Sequence, residues 1–344
     1  MLTVNLIYLG DKRLERKQWL DNVRAIACIM VIIVHVTAIT KYEFGKIDNL
    51  SWYITVIIDS ASRMCVPLFL MISGFIFLGD KKVKASNVLR AFFALTFYSV
   101  LCMIYWSVIR GRDFFESVIT IYQEPAMYHL WFMFYILAYY ILFLIINIRQ
   151  VNPKFGLLVV ISVMTVFNVN LSDLIQLLTT YYIKNGFVIN SLHLQLFMYC
   201  FAGAFIGVIN ESIRYKALAW FTCITSIILI VYLTIIKSYE LGMLNPQYQN
   251  YNSVPVFLSS ISAFYIIKNT TIFAKVQWFM NFVSQRSLAI YGVHAIILEI
   301  IRDKGFFLFH NPIMNIISTF LIVTVISIAM ASAIKYFDKK NWVS

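Results

Sequence analysis

The property that most restricts how this chain can fold is a recurrence of apolar runs about as long as a bilayer is thick, separated by short polar segments. A helix crossing the roughly 30 Å hydrocarbon layer needs about 20 mostly apolar residues. The runs fall at 19–40, 52–78, 91–109, 129–148, 155–169, 194–209, 217–236, 254–267, 287–301 and 312–334. They predict an all-α polytopic membrane helix bundle with about ten transmembrane helices, and 1–344 as one integral-membrane domain. The runs at 155–169, 194–209, 254–267 and 287–301 are short for a full crossing, so broken helices are expected among them.

Charge settles what kind of partner to expect. Only 13% of residues are charged and 61% are hydrophobic, against about 25% charged in a soluble domain. The formal net charge is +12, but Lys and Arg are scattered between apolar runs and form no stripe, so nucleic acid is not an expected partner. The scatter reads as topology. With the N-terminus inside, the inner segments carry more than twice as many Lys and Arg as the outer loops. Both termini are therefore expected in the cytoplasm, and the lipid bilayer is the first partner. The basic lead-in at 1–18 belongs to that inner set. No small-x-small site follows the first run and Arg24 interrupts it, so it reads as a retained helix and not a cleaved signal. Cys28, Cys65, Cys102, Cys200 and Cys223 all lie in apolar stretches with no Cys-x-x-Cys pair, and read as packing thiols with neither disulfide nor metal. The absence of an internal repeat counts against an inverted-repeat transporter.

Ionisable groups inside such runs are costly and by default mark functional pathways. The first run, WLDNVRAIACIMVIIVHVTAIT, holds Arg24 and His35. Eleven residues make about three helical turns, so both share one face about 16 Å apart along the axis. An imidazole, with an ordinary pKa near 6.5, suits a general base. In a soluble core a packed, hydrogen-bonded histidine is the commoner reading; in lipid the larger penalty favours a polar cavity. Arg24 follows Asp21 by one turn, and its plain reading is a snorkelling cation or a pair at the helix start. Arg63 stands four residues after Asp59 on the same face. It is either half of a buried ion pair that fixes helix packing, or a cation for an anionic donor or an oxyanion. Pro67 and Ser73-Gly74 predict that this second helix is irregular.

His129 and Trp131 open the fourth run, where an aromatic belt is the plain reading. Ser287, Tyr291 and His294 share one face of the ninth run, and Glu299 follows; an interhelical hydrogen-bond network is the plain reading there. Lys81, Lys82, Lys84 and Arg90 cluster beside Ser86 and Asn87, which suits topology first and docking of a phosphate-rich donor second.

Arg24-x10-His35 within LDNVRAIACIMVIIVH resembles the first-helix signature of the acyltransferase-3 family of membrane acyltransferases. The likeness continues in PLFLMISGFIF (67–77), HLWF (129–132) and SLAIYGVH (287–294), in order and across most of the chain. Within the family, SASR, VPLFLMISG, YHLWF and YGVHA together look most like the members that O-acetylate enterobacterial common antigen. The resemblance implies a bundle of about ten helices in the bacterial inner membrane. It also implies transfer of an acyl group, usually acetyl from cytoplasmic acetyl-CoA, to a hydroxyl of a polysaccharide or an undecaprenyl-linked glycan. No metal is implied. His35 matches the essential histidine and Arg24 the paired arginine. Many members carry Arg-x-x-Arg after the second span; this chain has Asn87-x-x-Arg90, with Lys84 as the candidate substitute.

Together these readings assign His35 as the base, and Arg63 with Tyr291 or His294 as stabilisers of a tetrahedral oxyanion. Arg24, Lys84 and Arg90 would hold the phosphates of the donor. Asp59, His129, Trp131 and Glu299 would face the acceptor, and an acetyl-histidine is an alternative course. The competing functions are a glycan or glycolipid exporter or flippase without acyl chemistry, and a structural or sensory subunit. The sequence assigns no oligomeric state.

Overall fold

A computed structural model describes residues 17–121, 123–146, 148, 151–168, 170–179, 185–186, 188–189, 191–305 and 308–344. The basic lead-in up to residue 16, and Arg149 of the expected basic turn, lie outside the described residues.

The described residues form helices and no strands. In order they are α1 (Gln18–Lys41), α2 (Asn49–Ser62), α3 (Cys65–Gly74), α4 (Ala85–Arg110), α5 (Phe114–Thr120), α6 (Trp131–Phe143), α7 (Pro153–Val166), α8 (Leu171–Thr179), α9 (Leu192–Val208), α10 (Ile213–Leu241), α11 (Val254–Lys268), α12 (Gln277–Ser284), α13 (Ser287–Lys304) and α14 (Pro312–Phe337). Among the described residues, five stretches are long and apolar enough to cross a membrane: Gln18–Lys41, Asn49–Gly79, Ala85–Arg110, Ile213–Leu241 and Pro312–Phe337. The expected count of ten is met only in part. The 13 residues of α6 and the 14 of α7 reach about 20 Å at 1.5 Å per residue, short of the roughly 30 Å layer.

The helix signals are local. Asp48, Asn152, Ser253 and Asn311 accept main-chain N–H groups at the starts of α2, α7, α11 and α14, which satisfies donors a helix start leaves open. The expected irregularity of the second run is found, and Pro67 accounts for it. Proline lacks the N–H that would bond the carbonyl four residues back, and its ring clashes with that carbonyl. The residue four back is Arg63, where α2 ends. The chain resumes as α3 and then widens into a π-turn at Phe75–Asp80.

α1 stands at the centre and packs on α2, α3, α11, α12, α13 and α14. α3 and α9 pack backbone against backbone. A Cβ at Gly74 would overlap the main chain of Cys200, and one at Gly203 would overlap Met71; Gly203 and Gly207 form a small-xxx-small pair of the kind that permits such contact. All five cysteines are buried and free. The connection after α10, rich in Tyr, Asn and Gln, folds inward: Tyr248, Gln249 and Ser253 are buried, and the Tyr199 hydroxyl donates to the Tyr251 carbonyl at 2.6 Å.

Candidate active site

α1 carries two polar positions to two different places. Arg24 lines a cavity of about 660 Å³ at the end of the bundle where α1 and α4 begin, a volume within the range of small-molecule sites. Among the described residues its charged side chains are Lys17, Arg24, Lys81, Arg90 and Lys335, with Asp21 as the acidic side chain. Arg24 lies 3.8 Å from Asp21 with a third of its side chain exposed. Arg90 donates to the Ser344 carbonyl at 2.8 Å, because the chain after α14 folds back over the cavity. The Asp338 carboxylate holds that fold by accepting the main-chain N–H groups of Trp342, Val343 and Ser344. Burial opposes its charge, yet those three donors keep the carboxyl below its ordinary range. Asn87 lines the cavity and its Oδ1 accepts the Lys84 N–H at 3.0 Å. The Lys84 side chain is not among the lining groups, and Lys81 is.

His35, three turns along α1, lines a second cavity of about 30 Å³ with Cys65, His129, Trp131 and Tyr251. That exceeds the roughly 10–15 Å³ needed for one water. Phe132 and Tyr291 line both cavities. Around His35 the chain gathers aromatic and imidazole rings from three elements. The Tyr128 ring lies 5.1 Å away and the His294 ring 5.2 Å, and His129 lies 5.1 Å from His294. Both ring nitrogens of His129, and Nε2 of His294, are buried without a hydrogen-bond partner. Among the described residues no three His, Cys, Asp or Glu side chains converge as metal ligands would.

Asp59 and Arg63 form the expected pair, and the structure adds a third charge, Lys41, from just past the first apolar run. Arg63 donates from Nε at 2.8 Å and Nη2 at 3.0 Å to the two oxygens of Asp59, a bidentate bond stronger than a neutral one. Lys41, 1% exposed at the end of α1, donates to Asp59 at 2.9 Å and to Gln249 at 3.0 Å. Thr37 donates to Asp59 at 3.1 Å, and Gln249 to Ser60 at 3.0 Å. Two cations around one carboxylate leave this cluster net positive beside the small cavity. Lys41 and Gln249 were missed because each sits in a polar stretch that reads as exposed loop; no local signal marks them as buried.

Two of the expected oxyanion partners already make hydrogen bonds. The Tyr291 hydroxyl donates to the His129 main-chain carbonyl. His294 Nδ1 lies 2.7 Å from the Tyr291 carbonyl. A carbonyl only accepts, so Nδ1 carries the proton, and the neutral ring has no second one to donate. Trp131 lies beside Tyr251, with centroids 5.8 Å apart. Glu299 is buried and accepts from Arg302 at 2.7 Å, away from the lining of either cavity.

The family model described as an acyltransferase domain, of the acyltransferase-3 type, matches residues 17–332. The chain belongs to the acyltransferase-3 family. No curated protein and no solved structure matches it. Membership makes the chain a membrane acyltransferase, and the match takes in the residues expected from the sequence, from Arg24 to Glu299, while Lys335 of the cavity lies just beyond it.

Proposed function

We propose that this acyltransferase-3 protein is an O-acetyltransferase of the bacterial inner membrane. It would move acetyl from cytoplasmic acetyl-CoA to a hydroxyl of a polysaccharide or lipid-linked glycan. The observation that carries the reading is the abutment of the two cavities at Phe132 and Tyr291. The large, cationic one suits a donor bearing phosphates, and the small one holds an imidazole. Lys17, Arg24, Lys81, Arg90 and Lys335 supply charge for those phosphates. With both termini in the cytoplasm, this cavity faces the compartment that holds the donor.

In the transfer, the acceptor oxygen attacks the thioester carbonyl. A C–O bond forms and the C–S bond breaks. His35 takes the hydroxyl proton and returns it to the departing sulfur, which keeps the reaction neutral overall. Arg63, in the net-positive cluster with Lys41 and Asp59, favours the negative charge that grows on the carbonyl oxygen. Asp59 acts through Arg63, and Trp131 and His129 shape the pocket the acceptor hydroxyl would reach. The finer likeness to the enzymes of enterobacterial common antigen rests on SASR, VPLFLMISG, YHLWF and YGVHA and makes that glycan the first acceptor to try.

The test is purified protein with radiolabelled acetyl-CoA and extracted bacterial glycolipid. Label in the glycolipid supports the reading. Translocation of the glycolipid across vesicles without any transfer would replace it with an exporter.

A further inference from the structure

His294 offers more than packing, and what it offers rests on His35 being the base of the transfer proposed above. The ring is fully buried in α13. Its Nδ1 points at the carbonyls of Tyr291 and Ile290, at 2.7 and 3.3 Å, which fixes the proton on that atom. Nε2 of the neutral ring is then a bare lone pair, buried and without a partner. An unmet buried acceptor is costly, so a donor belongs beside it. His35 lies 5.2 Å away between centroids with planes 36° apart. The other groups whose charge bears on His35 are Arg63, Asp59 and Lys41. Two of these are cations without lone pairs, and Asp59 is already bonded to Arg63, Lys41 and Thr37.

We propose that His294 is the positioning residue of the base: its Nε2 accepts the N–H of His35. That bond selects one tautomer of His35 and leaves its other ring nitrogen bare for the acceptor hydroxyl. The logic is that of a base oriented by a third group, met in nucleophile–base–orienter triads, with an imidazole lone pair in place of a carboxylate. It also explains why a histidine that cannot donate to an oxyanion sits so close to one that must accept a proton. His129, its ring 5.1 Å from that of His294, is the competing donor to the same lone pair.

The experiment uses the full-length protein in lipid nanodiscs with ¹⁵N-labelled histidine. Solid-state NMR reads the His35 tautomer, and the radiolabelled acetyl-CoA assay reads kcat and KM. Wild type should show His35 as a single tautomer. His294→Leu should mix the tautomers and lower kcat about tenfold, a part of the roughly 10²–10⁴ that a positioned base is worth, with donor KM within twofold. His294→Gln, whose side-chain carbonyl accepts where Nε2 did, should restore the single tautomer and most of kcat. An unchanged His35 tautomer in His294→Leu overturns the proposal. So does His129→Leu reproducing the kcat loss while His294→Leu leaves His35 unaltered. If His294→Leu does not fold, the Gln variant decides: a mixed tautomer there overturns it. Transfer that survives His35→Ala would instead sink the assignment of the base, a separate failure.

Discussion

Arg24 and Arg63 are both arginines in apolar helices, and the protein treats them in opposite ways. Arg63 is held by two bonds to Asp59, which is itself clamped by Lys41 and Thr37. Arg24 keeps a third of its side chain exposed and faces Asp21 at 3.8 Å. The surroundings follow suit. At the end near Arg24, five cations and one carboxylate among the described residues line a roomy cavity. At the end near Arg63, Lys41 and Arg63 both bond the Asp59 carboxylate, and Lys41 and Asp59 are buried. A guanidinium that is to take up a phosphate profits from water and a loose partner; one that is to stay in place profits from complete satisfaction.

The sharpest break lies between these ends. His35→Ala should reduce acetyl transfer by about 10²–10⁴ in the radiolabel assay, with the thermal midpoint in detergent unchanged; an active variant removes the histidine from the chemistry. Next, Asp59→Ala leaves Lys41 and Arg63 buried without a counter-charge. It should cost about 3–5 kcal/mol, read from thermal unfolding. Arg24→Gln sharpens the contrast. It should cost about 1 kcal/mol or less while raising donor KM about tenfold, roughly 1.4 kcal/mol of binding, and the increase should shrink as salt screens the rim. Equal destabilisation by the two variants would dissolve the distinction. Phe132→Ala removes a ring that lines both cavities, so the ratio of kcat/KM for a longer acyl-CoA over acetyl-CoA should rise severalfold, consistent with the about 10- to 200-fold that one methylene of pocket room can decide. The smallest effect belongs to an exposed pair: Lys237→Ala, which breaks the 2.6 Å contact with Glu240, should move stability by no more than about 0.5 kcal/mol.

Much of this was readable along the chain. Hydropathy foretold helices and a membrane, and Pro67 foretold the interruption beside Arg63, because both depend on residues within a few positions of one another. The spacing of Asp59 and Arg63 foretold their pairing for the same reason. The match over 17–332 bears out the family named from four short motifs. What could not be read is equally specific. Lys41 follows the first apolar run directly, at the start of a polar segment, and is 1% exposed. Gln249 reaches it from 208 positions away. The Tyr291 hydroxyl donates to a main-chain carbonyl 162 positions away, that of His129.

The order of residues alone decided that this protein is a helical membrane bundle with a histidine and two arginines inside it, since hydrophobicity and helical spacing act over one or two turns. Which charges meet, which imidazole nitrogen is bare, and which two side chains line both cavities were decided only when α1, α3, α6 and α13 packed together. Hydrogen-bond partners and cavity walls are relations between distant segments, and no single segment carries them.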